Sequence, residues 1–401
     1  MLTKAFVPYK GYYSTPFSRW QGSMANENSI VLAGNTAKRW LAEKDWDPKM
    51  FDYLILGITI SQIHQFYAST WAAAIMGAGE IPGVTLSQAC TTSTTSIFNA
   101  AMGVETGLYK NCCTLMTDRC SNGPHTIWPN PMGPGGEVLS ENWLMDNFNS
   151  DPNVGLRMIE TAENVAKEDG FTKEQCDELT LRRYEQYLDA LANDREFQKR
   201  YMFPAEVTVS RKKTKLVEED EGVTPCTAEG LAGLRPVIPG GVLSFGSQTF
   251  PADGNCMMIV TSEEKAKELS DDPSLVIQVV GYGFSRVKPG YMAAAPVPAS
   301  KMALENTGLK ISDIKVIKTH NPFVVNDLHF GREMGVDPMS AGDQAFNNYG
   351  CSMIYGHPQG PTAGRLIIEG IEETAMKGGG YLLWTGCAAG DTGGALILKI
   401  G

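Results

Sequence analysis

Two stretches of this 401-residue sequence share a length and a pattern, and this repeat constrains the fold more than any other feature. Cys120 follows Cys90 by 30 positions, and Cys387 follows His357 by the same 30 positions. Each stretch begins with a residue able to act as nucleophile or base, continues with helix-like apolar spacing and ends in a short apolar, strand-like run. One fixed offset pairs six identical residues, which are Thr95 with Thr362, Gly103 with Gly370, Glu105 with Glu372, Lys110 with Lys377, Leu115 with Leu382, and Cys120 with Cys387. The sequence therefore predicts two copies of one unit, with Cys90 and His357 at equivalent helix starts that face each other.

Strand-like and helix-like segments alternate along the rest of the chain, which predicts an α/β layered fold. The predicted strands are 53–60, 83–87, 253–262, 274–283 and 314–318, and the predicted helices are 66–77, 154–169, 172–193 and 298–307. The Gly- and Pro-rich segment 121–137 is predicted to lack regular structure. We expect an N-terminal half (1–120, returning at 246–270), an insertion (121–245) and a similar C-terminal half (271–401).

Composition excludes several classes of function. The net charge of −11 disfavours nucleic acid or an anionic membrane as the main partner. Nine cysteines without framework spacing indicate a reducing compartment and no structural disulfide. The five histidines show no short metal-ligand spacing, so no metal site is expected. No stretch approaches the apolar length of a membrane span or a signal core, and we expect a cytoplasmic protein with no membrane contact.

Cys90 is the first candidate functional residue. Small hydroxyl residues follow it and precede an apolar helical pattern, so it is predicted to lie at a helix N-terminus. Free backbone N–H groups and the helix dipole favour a thiolate there, which is the reactive form of cysteine. The alternative is an inert cysteine buried in the core.

Three more candidates lie in the C-terminal half. Glycines surround His357 in a tight turn that precedes a helix, and they permit close approach to a ligand. Cys387 lies in a glycine-rich loop, and His320 follows a predicted strand, where α/β folds usually place ligand-binding groups. The alternatives are a turn histidine bonded to a carbonyl and a simple bend between strands.

Taken together, these motifs resemble those of the thiolases. The Cys90 segment, HNPF (320–323), GHPQGPTAGR (356–365) and the Cys387 loop occur in thiolase order and spacing, and TPF (15–17) and the DG pair at 253–254 also match. The resemblance covers nearly the whole chain. It implies a duplicated α-β-α-β-α layered fold with an inserted loop domain that binds coenzyme A (CoA). It also implies CoA as a co-substrate and no permanently bound cofactor.

The resemblance implies a role for each candidate. Cys90 is expected to attack the keto carbon of a 3-oxoacyl-CoA and become acylated, and His357 to be its activating base. Cys387 is expected to be the second acid/base, which protonates the enolate carbon in cleavage. His320 stands where many thiolases have Asn and where sterol-carrier-protein-type thiolases have His, and it is expected to orient a water in the oxyanion hole of the enolate, together with His357.

A second oxyanion hole would use the backbone N–H of Cys90 and of a residue after Cys387. Here the chain departs from the family pattern of Cys, any residue, Gly, because it has Cys387, Ala388, Ala389 and then Gly390. We assign Ala389 or Gly390 as the donor. We assign five further residues to substrate binding, although packing of the aromatic ones within the loop is the alternative; they are Trp128, Trp143, Phe148, Thr249 and Phe323.

A closer resemblance concerns the substrate. The N-terminal YKGYYSTPFSRWQGSM and the HNPF variant resemble thiolases that cleave benzoylsuccinyl-CoA in anaerobic toluene degradation. This implies a bulky 3-oxoacyl-CoA substrate and a small zinc-containing OB-fold subunit as a partner, and thiolases generally imply a homodimer or larger. Two rival functions stay open, namely an acetyl-CoA acetyltransferase or biosynthetic condensing enzyme, and a catalytically silent scaffold subunit.

Overall fold

A computed structural model describes residues 1–342 and 344–401 of the chain. The strands are β1 (Phe6–Val7), β2 (Tyr12–Ser14), β3 (Ser18–Arg19), β4 (Tyr53–Gly57), β5 (Gly83–Leu86), β6 (Asn111–Arg119), β7 (His125–Pro129), β8 (Val138–Asn142), β9 (Ala205–Ser210), β10 (Lys213–Val217), β11 (Ala252–Thr261), β12 (Ile277–Arg286), β13 (Ile314–His320), β14 (Ala345–Phe346), β15 (Gly380–Ala388) and β16 (Thr392–Ile400). The helices are α1 (Ser29–Glu43), α2 (Ala68–Met76), α3 (Thr92–Glu105), α4 (Met145–Asn149), α5 (Met158–Asp169), α6 (Lys173–Lys199), α7 (Ala228–Gly233), α8 (Glu263–Leu269), α9 (Pro296–Thr307), α10 (Val324–Met334), α11 (Ser352–Tyr355) and α12 (Gly360–Met376).

The repeat is visible in the order and direction of the strands. In the N-terminal half, β5, β4 and β6 are parallel neighbours and β11 runs antiparallel to β6. In the C-terminal half, β14, β13 and β15 are parallel neighbours and β16 runs antiparallel to β15. Strands β1 and β12 join the two sets. The predicted duplicated α/β layered fold is therefore confirmed.

Helices α3 and α12 form the layer between the two halves. Each is the helix of one repeat unit, they contact each other, and α12 contacts β13 and β15 of its own half and β6 and β11 of the other. Nearly all residues of α12 are buried, as expected of a helix covered on every side. A Cβ atom at Gly364 would lie 2.4 Å from the sulfur of Cys256, so glycine permits this close packing of α12 against β11.

Residues 121–245, the predicted insertion, contain α4 to α7 and two hairpins, β7–β8 and β9–β10. The prediction that 121–137 lacks regular structure is wrong for His125–Pro129, which form β7 and pair with β8. Thr126, Ile127 and Trp128 favour a strand, while the Gly and Pro residues that suggested irregular structure are concentrated in the connection between the two strands.

All four predicted helices form, but their ends differ from the predicted ones by up to six residues. Helix α5 begins at Met158 and not at Val154, because the Asp151 carboxylate accepts the N–H groups of Asn153 and Val154 in a preceding turn. Helix α6 begins after Thr172, whose side chain accepts the N–H of Gln175 while the Gln175 side chain accepts the N–H of Thr172. In the described part of the chain, no helix combines the length and apolar character needed to cross a membrane.

Candidate active site

Cys90 lies just before α3, in a short 3-10 turn formed by Ala89–Thr91. Ala89 has a φ of 46°, in the left-handed region that residues with a side chain rarely adopt. Such strain persists where the surrounding structure holds it, and it is concentrated at functional sites. Cys90 is partly exposed, and it forms part of the wall of a cavity.

His357 lies directly before α12 and faces Cys90 across the two halves. Its Nε2 is 3.1 Å from the Cys90 sulfur, and its Nδ1 is 2.6 Å from the Thr362 hydroxyl. A proton on Nδ1, donated to Thr362, leaves the lone pair of Nε2 to accept the thiol proton. The equivalent helix starts predicted from the repeat therefore bring an imidazole within hydrogen-bond reach of a thiol.

Burial keeps both members of this pair uncharged at rest. Burial raises the pKa of Cys90 to about 12, although the backbone N–H groups of Ala389 and of Cys90 itself act in the opposite direction. Burial lowers the pKa of His357 to about 3, and a hydrogen bond to Gln359 acts against this shift. The backbone N–H groups favour the thiolate, as the sequence analysis expects of this position, but desolvation of the sulfur has the larger effect on the pKa.

His320 lies behind His357, and the two ring centroids are 4.1 Å apart. Its Nδ1 is 2.8 Å from the Ser352 hydroxyl, whereas its Nε2 is buried and has no hydrogen-bond partner. Burial, and next the neighbouring His357, lower the pKa of His320 well below its usual value. A neutral imidazole with one unpartnered nitrogen is suited to form a hydrogen bond with an oxygen atom of a ligand.

Cys387 lies near the end of β15 and is fully buried. The side-chain amide of Asn326 donates to its sulfur over 3.3 Å. Burial, and next the neighbouring Cys90, raise the pKa of Cys387 above its usual range, so its thiol holds a proton. Sequence reasoning missed Asn326, and its only signal is an amide residue in the first turn of a helix that follows HNPF.

The altered loop after Cys387 still presents a backbone donor. The backbone N–H of Ala389 acts to lower the pKa of the Cys90 thiol against the larger effect of burial. Gly390 takes the left-handed backbone of the turn, with φ 82°, while Ala389 is not among the residues with positive φ. The Ala in place of the usual Gly therefore fits this loop without strain in that region.

The cavity at Cys90 has a volume of about 380 Å³ and also reaches His357, Gln359 and Ala389. This volume falls within the range of small-molecule sites. Phe148, Thr249 and Phe323, which the sequence analysis assigned to substrate binding, line it. Lining residues that the sequence reasoning missed include Arg157, Met158, Phe245 and Met292.

Neither Trp128 nor Trp143 is among the described residues that line this cavity. Trp128 is half exposed on β7, where the hairpin turns its ring towards solvent. Trp143 packs near Ile60 and donates its indole N–H to the carbonyl of Thr59 over 3.0 Å. The structure therefore contradicts their assignment to this substrate surface, since aromatic character alone did not show which loop residues face the site.

Cys90, His320 and His357 each bring a potential metal-ligand atom to within 4.8 Å of the others. Thiolate sulfur and imidazole nitrogen are ligands that zinc binds. Spacing along the sequence showed no such group, because the three residues come from distant parts of the chain. The sequence resemblance implies other roles for the same three side chains, namely the nucleophile for Cys90, its base for His357 and the oxyanion hole for His320.

Known proteins are similar to this chain over nearly its full length. Family models match residues 11–264 ("Thiolase, N-terminal domain") and 274–400 ("Thiolase, C-terminal domain"). The chain is 26% identical over 390 residues to human mitochondrial 3-ketoacyl-CoA thiolase, with 96% of each chain covered. It is 30% identical over 331 residues to an acetyl-CoA acetyltransferase of Syntrophomonas wolfei, with 80% of each covered. The solved structure of the human mitochondrial thiolase in complex with CoA superimposes with a TM-score of 0.88 at 27% identity, over 99% of this chain and 98% of that one.

Proposed function

Because the chain belongs to the thiolase family, we propose that it cleaves a bulky 3-oxoacyl-CoA with CoA, through an acyl group carried on Cys90. One observation carries this proposal, namely the 3.1 Å contact between the Cys90 sulfur and Nε2 of His357 beside a cavity. A cysteine within hydrogen-bond reach of a base is the arrangement that activates a thiol nucleophile.

In the first step, His357 takes the Cys90 proton and the sulfur attacks the keto carbon. The N–H groups of Cys90 and Ala389 receive the negative oxygen. The bond between the keto carbon and the α-carbon breaks and leaves an enolate, whose oxygen is held near His320 and His357. Cys387 gives its proton to the α-carbon, and the shortened acyl-CoA leaves.

In the second step, CoA enters and its sulfur attacks the acyl group on Cys90. The proton of the CoA thiol passes to Cys387, which lost its own in the first step. The tetrahedral intermediate collapses, the sulfur of Cys90 leaves, and it recovers its proton from His357. Both acids are then restored, and the second acyl-CoA is released.

The finer proposal is that the substrate is benzoylsuccinyl-CoA and that the products are benzoyl-CoA and succinyl-CoA. The aromatic Phe148, Phe245 and Phe323 that line the cavity suit an aryl group. Arg157 lines the same cavity, and its guanidinium suits the free carboxylate of this substrate.

The proposal includes the partners and the setting. CoA and acyl-CoA are turned over as substrates, and no cofactor is permanently bound. The chain works in the cytoplasm as a homodimer or larger assembly, with a small zinc-containing OB-fold subunit as a second partner. The nine unpaired cysteines suit a reducing compartment.

The test compares CoA-dependent cleavage of benzoylsuccinyl-CoA with that of acetoacetyl-CoA, and follows Cys90 by mass spectrometry. We expect faster cleavage of the aryl substrate and a benzoyl adduct on Cys90, absent in Cys90→Ala. A strong preference for acetoacetyl-CoA would favour an acetyl-CoA acetyltransferase and remove the finer proposal. No adduct from either substrate would favour a catalytically silent scaffold.

A further inference from the structure

Hydrogen bonds around His320 determine which of its ring nitrogens carries the proton. The side-chain N–H of Asn321 donates to Asp327 over 2.8 Å, and its Oδ1 therefore faces the Ser352 hydroxyl, 3.2 Å away. That hydroxyl has a single proton and donates it to Asn321, so it accepts from Nδ1 of His320 over 2.8 Å. His320 thus holds its proton on Nδ1, and its Nε2 presents a lone pair.

This lone pair has no partner. His320 is fully buried, and in the described part of the chain no group donates a hydrogen bond to its Nε2. A buried acceptor that stays unpaired costs free energy, and native proteins rarely contain one without a reason. The nitrogen is therefore available to a ligand that brings either a proton or a positive charge.

The neighbouring reactive pair supplies two more ligand atoms of the same kind. His357 also holds its proton on Nδ1, and its Nε2 is 3.1 Å from the Cys90 sulfur. One ligand atom from each of Cys90, His320 and His357 lies within 4.8 Å of the other two. Ligand atoms bound to a tetrahedral zinc ion at about 2.0–2.3 Å are about 3.3–3.6 Å apart, so shifts of roughly 1 Å or less bring all three onto one ion.

The surroundings of the two imidazoles also suit a metal ion. Histidines that bind a metal usually donate their other ring N–H to a fixed acceptor, which orients the ring. Both rings do so here, each with a hydroxyl group as the acceptor. Burial lowers the pKa of both histidines, so protons do not compete with a metal at neutral pH. The cavity lined by Cys90 and His357 leaves space for a water as fourth ligand.

We propose that Cys90, His320 and His357 form a site that binds one zinc ion reversibly, through the sulfur and the Nε2 atoms of both histidines. The ion replaces the proton of the Cys90 thiol, which passes to solvent, and nothing is oxidised or reduced. While zinc is bound, neither the sulfur nor the imidazole of His357 is free for acyl transfer. Zinc is thus an inhibitor of this protein and not its cofactor. Inhibition rests on the proposed thiolysis, whereas binding of the metal does not.

The first test measures alkylation of Cys90 by iodoacetamide in the native full chain, without substrate, as free Zn²⁺ is raised. The rate should fall by about tenfold when free Zn²⁺ is tenfold above its Kd, and a chelator should restore it. Cys226 is the other partly exposed cysteine in the described residues, and its alkylation should not change. An unchanged rate at Cys90 would overturn the proposal.

The second test identifies the ligands with cobalt(II), which occupies zinc sites and absorbs in the near ultraviolet when a thiolate binds it. We expect this band in the native chain and its loss in Cys90→Ala. His320→Asn removes a ligand and should raise the Kd of cobalt by about 100-fold or more, and Ser352→Ala, which removes the partner of Nδ1, by about tenfold or more. His329 bonds Asp169 instead, so His329→Asn is the matched control and should leave the Kd unchanged.

A cobalt band that survives Cys90→Ala, or a Kd that His320→Asn leaves unchanged, would overturn the proposal. Chemical denaturation of each variant shows whether it is folded, and for one that is not, protection of Cys90 in the native chain decides. If zinc protects Cys90 and cobalt binds as expected while no 3-oxoacyl-CoA is cleaved, the proposed function fails and the metal site stands.

Discussion

At the scale of single residues, Cys90 and His357 rest as an uncharged pair, with the pKa of Cys90 raised to about 12 and that of His357 lowered to about 3. Between these values the neutral pair and the charged pair bind the same number of protons, so their ratio does not depend on pH. The reactivity of the Cys90 thiol should therefore be constant across neutral pH. It should rise about tenfold per pH unit where hydroxide alone begins to form the thiolate.

Replacing His357 by Ala should remove the range of neutral pH over which the reactivity of Cys90 is constant. Without the base, the rate of Cys90 alkylation near neutral pH should fall by about 100-fold or more, which is the usual size of a general-base contribution. The rise in rate at high pH should remain. Iodoacetamide labelling measures the loss of thiol reactivity, and the kcat of thiolysis measures its effect on turnover. Labelling of Cys226 should not change, and loss of reactivity at high pH as well would indicate collapse of the site instead.

Replacing Cys387 by Ala should separate the two chemical steps. The enolate carbon is far more basic than a CoA thiolate, so C–C cleavage needs the acid while transfer of an acyl group from a simple thioester depends on it less. We expect cleavage of a 3-oxoacyl-CoA to fall by about 10²–10⁴-fold. Benzoyl transfer from benzoyl-CoA to Cys90, followed by mass spectrometry, should persist. Equal loss of both reactions would contradict the assigned role of Cys387.

Cys120 shows how far a repeat predicts single residues. It is the counterpart of Cys387, but its sulfur lies 3.7 Å from the backbone carbonyl of His357, so it contacts the turn that carries the base. The repeat could predict the facing helix starts because sequence identity persists at one offset. It could not predict Gln359 or Asn326 as partners of the two reactive cysteines, because those contacts join residues 269 and 61 positions apart.

At the scale of elements, a buried ion pair joins α12 to the segment that follows β10. The Arg365 guanidinium donates two hydrogen bonds to Asp220, at 2.6 and 2.8 Å, and both side chains are fully buried. Asp220 comes from the acidic stretch that follows β10, and it also accepts the N–H of Phe17. The pattern of charges along the sequence showed an acidic run but not which member is buried, because burial depends on the partner in α12.

Removing one member of this pair should be costly. Arg365→Leu leaves the Asp220 carboxylate buried without its cation, and should lower the free energy of unfolding by about 3–5 kcal/mol. Chemical denaturation followed by tryptophan fluorescence measures this change. The exposed pair Lys267–Glu263 is the matched control, and Glu263→Gln should change the free energy by about 1 kcal/mol or less. If Arg365→Leu lowers the free energy of unfolding no more than the control does, the buried pair adds little to stability.

At the scale of the whole molecule, the sheet ends at β5, the strand that leads to Cys90. Val84 on this strand is 40% exposed, and an edge strand presents free backbone groups that favour pairing with another chain. We expect this edge to take part in the proposed self-association.

Light scattering should give the mass of a dimer or larger, and Val84→Lys should reduce it by placing a charge on the edge. Leu108, which is exposed after α3, provides the control, since Leu108→Lys should leave the mass unchanged. A native chain that is monomeric at all concentrations would contradict this expectation.

The contact between Cys90 and His357 also has a consequence for how the protein is made. Synthesis on the ribosome delivers the segment with the nucleophile long before the segment with its base, since the two residues are 267 positions apart. An unfinished chain therefore carries a thiol that no histidine activates. We expect newly made protein to stay inert towards acyl-CoA until the second half has docked, so that the first turnover marks the completion of folding.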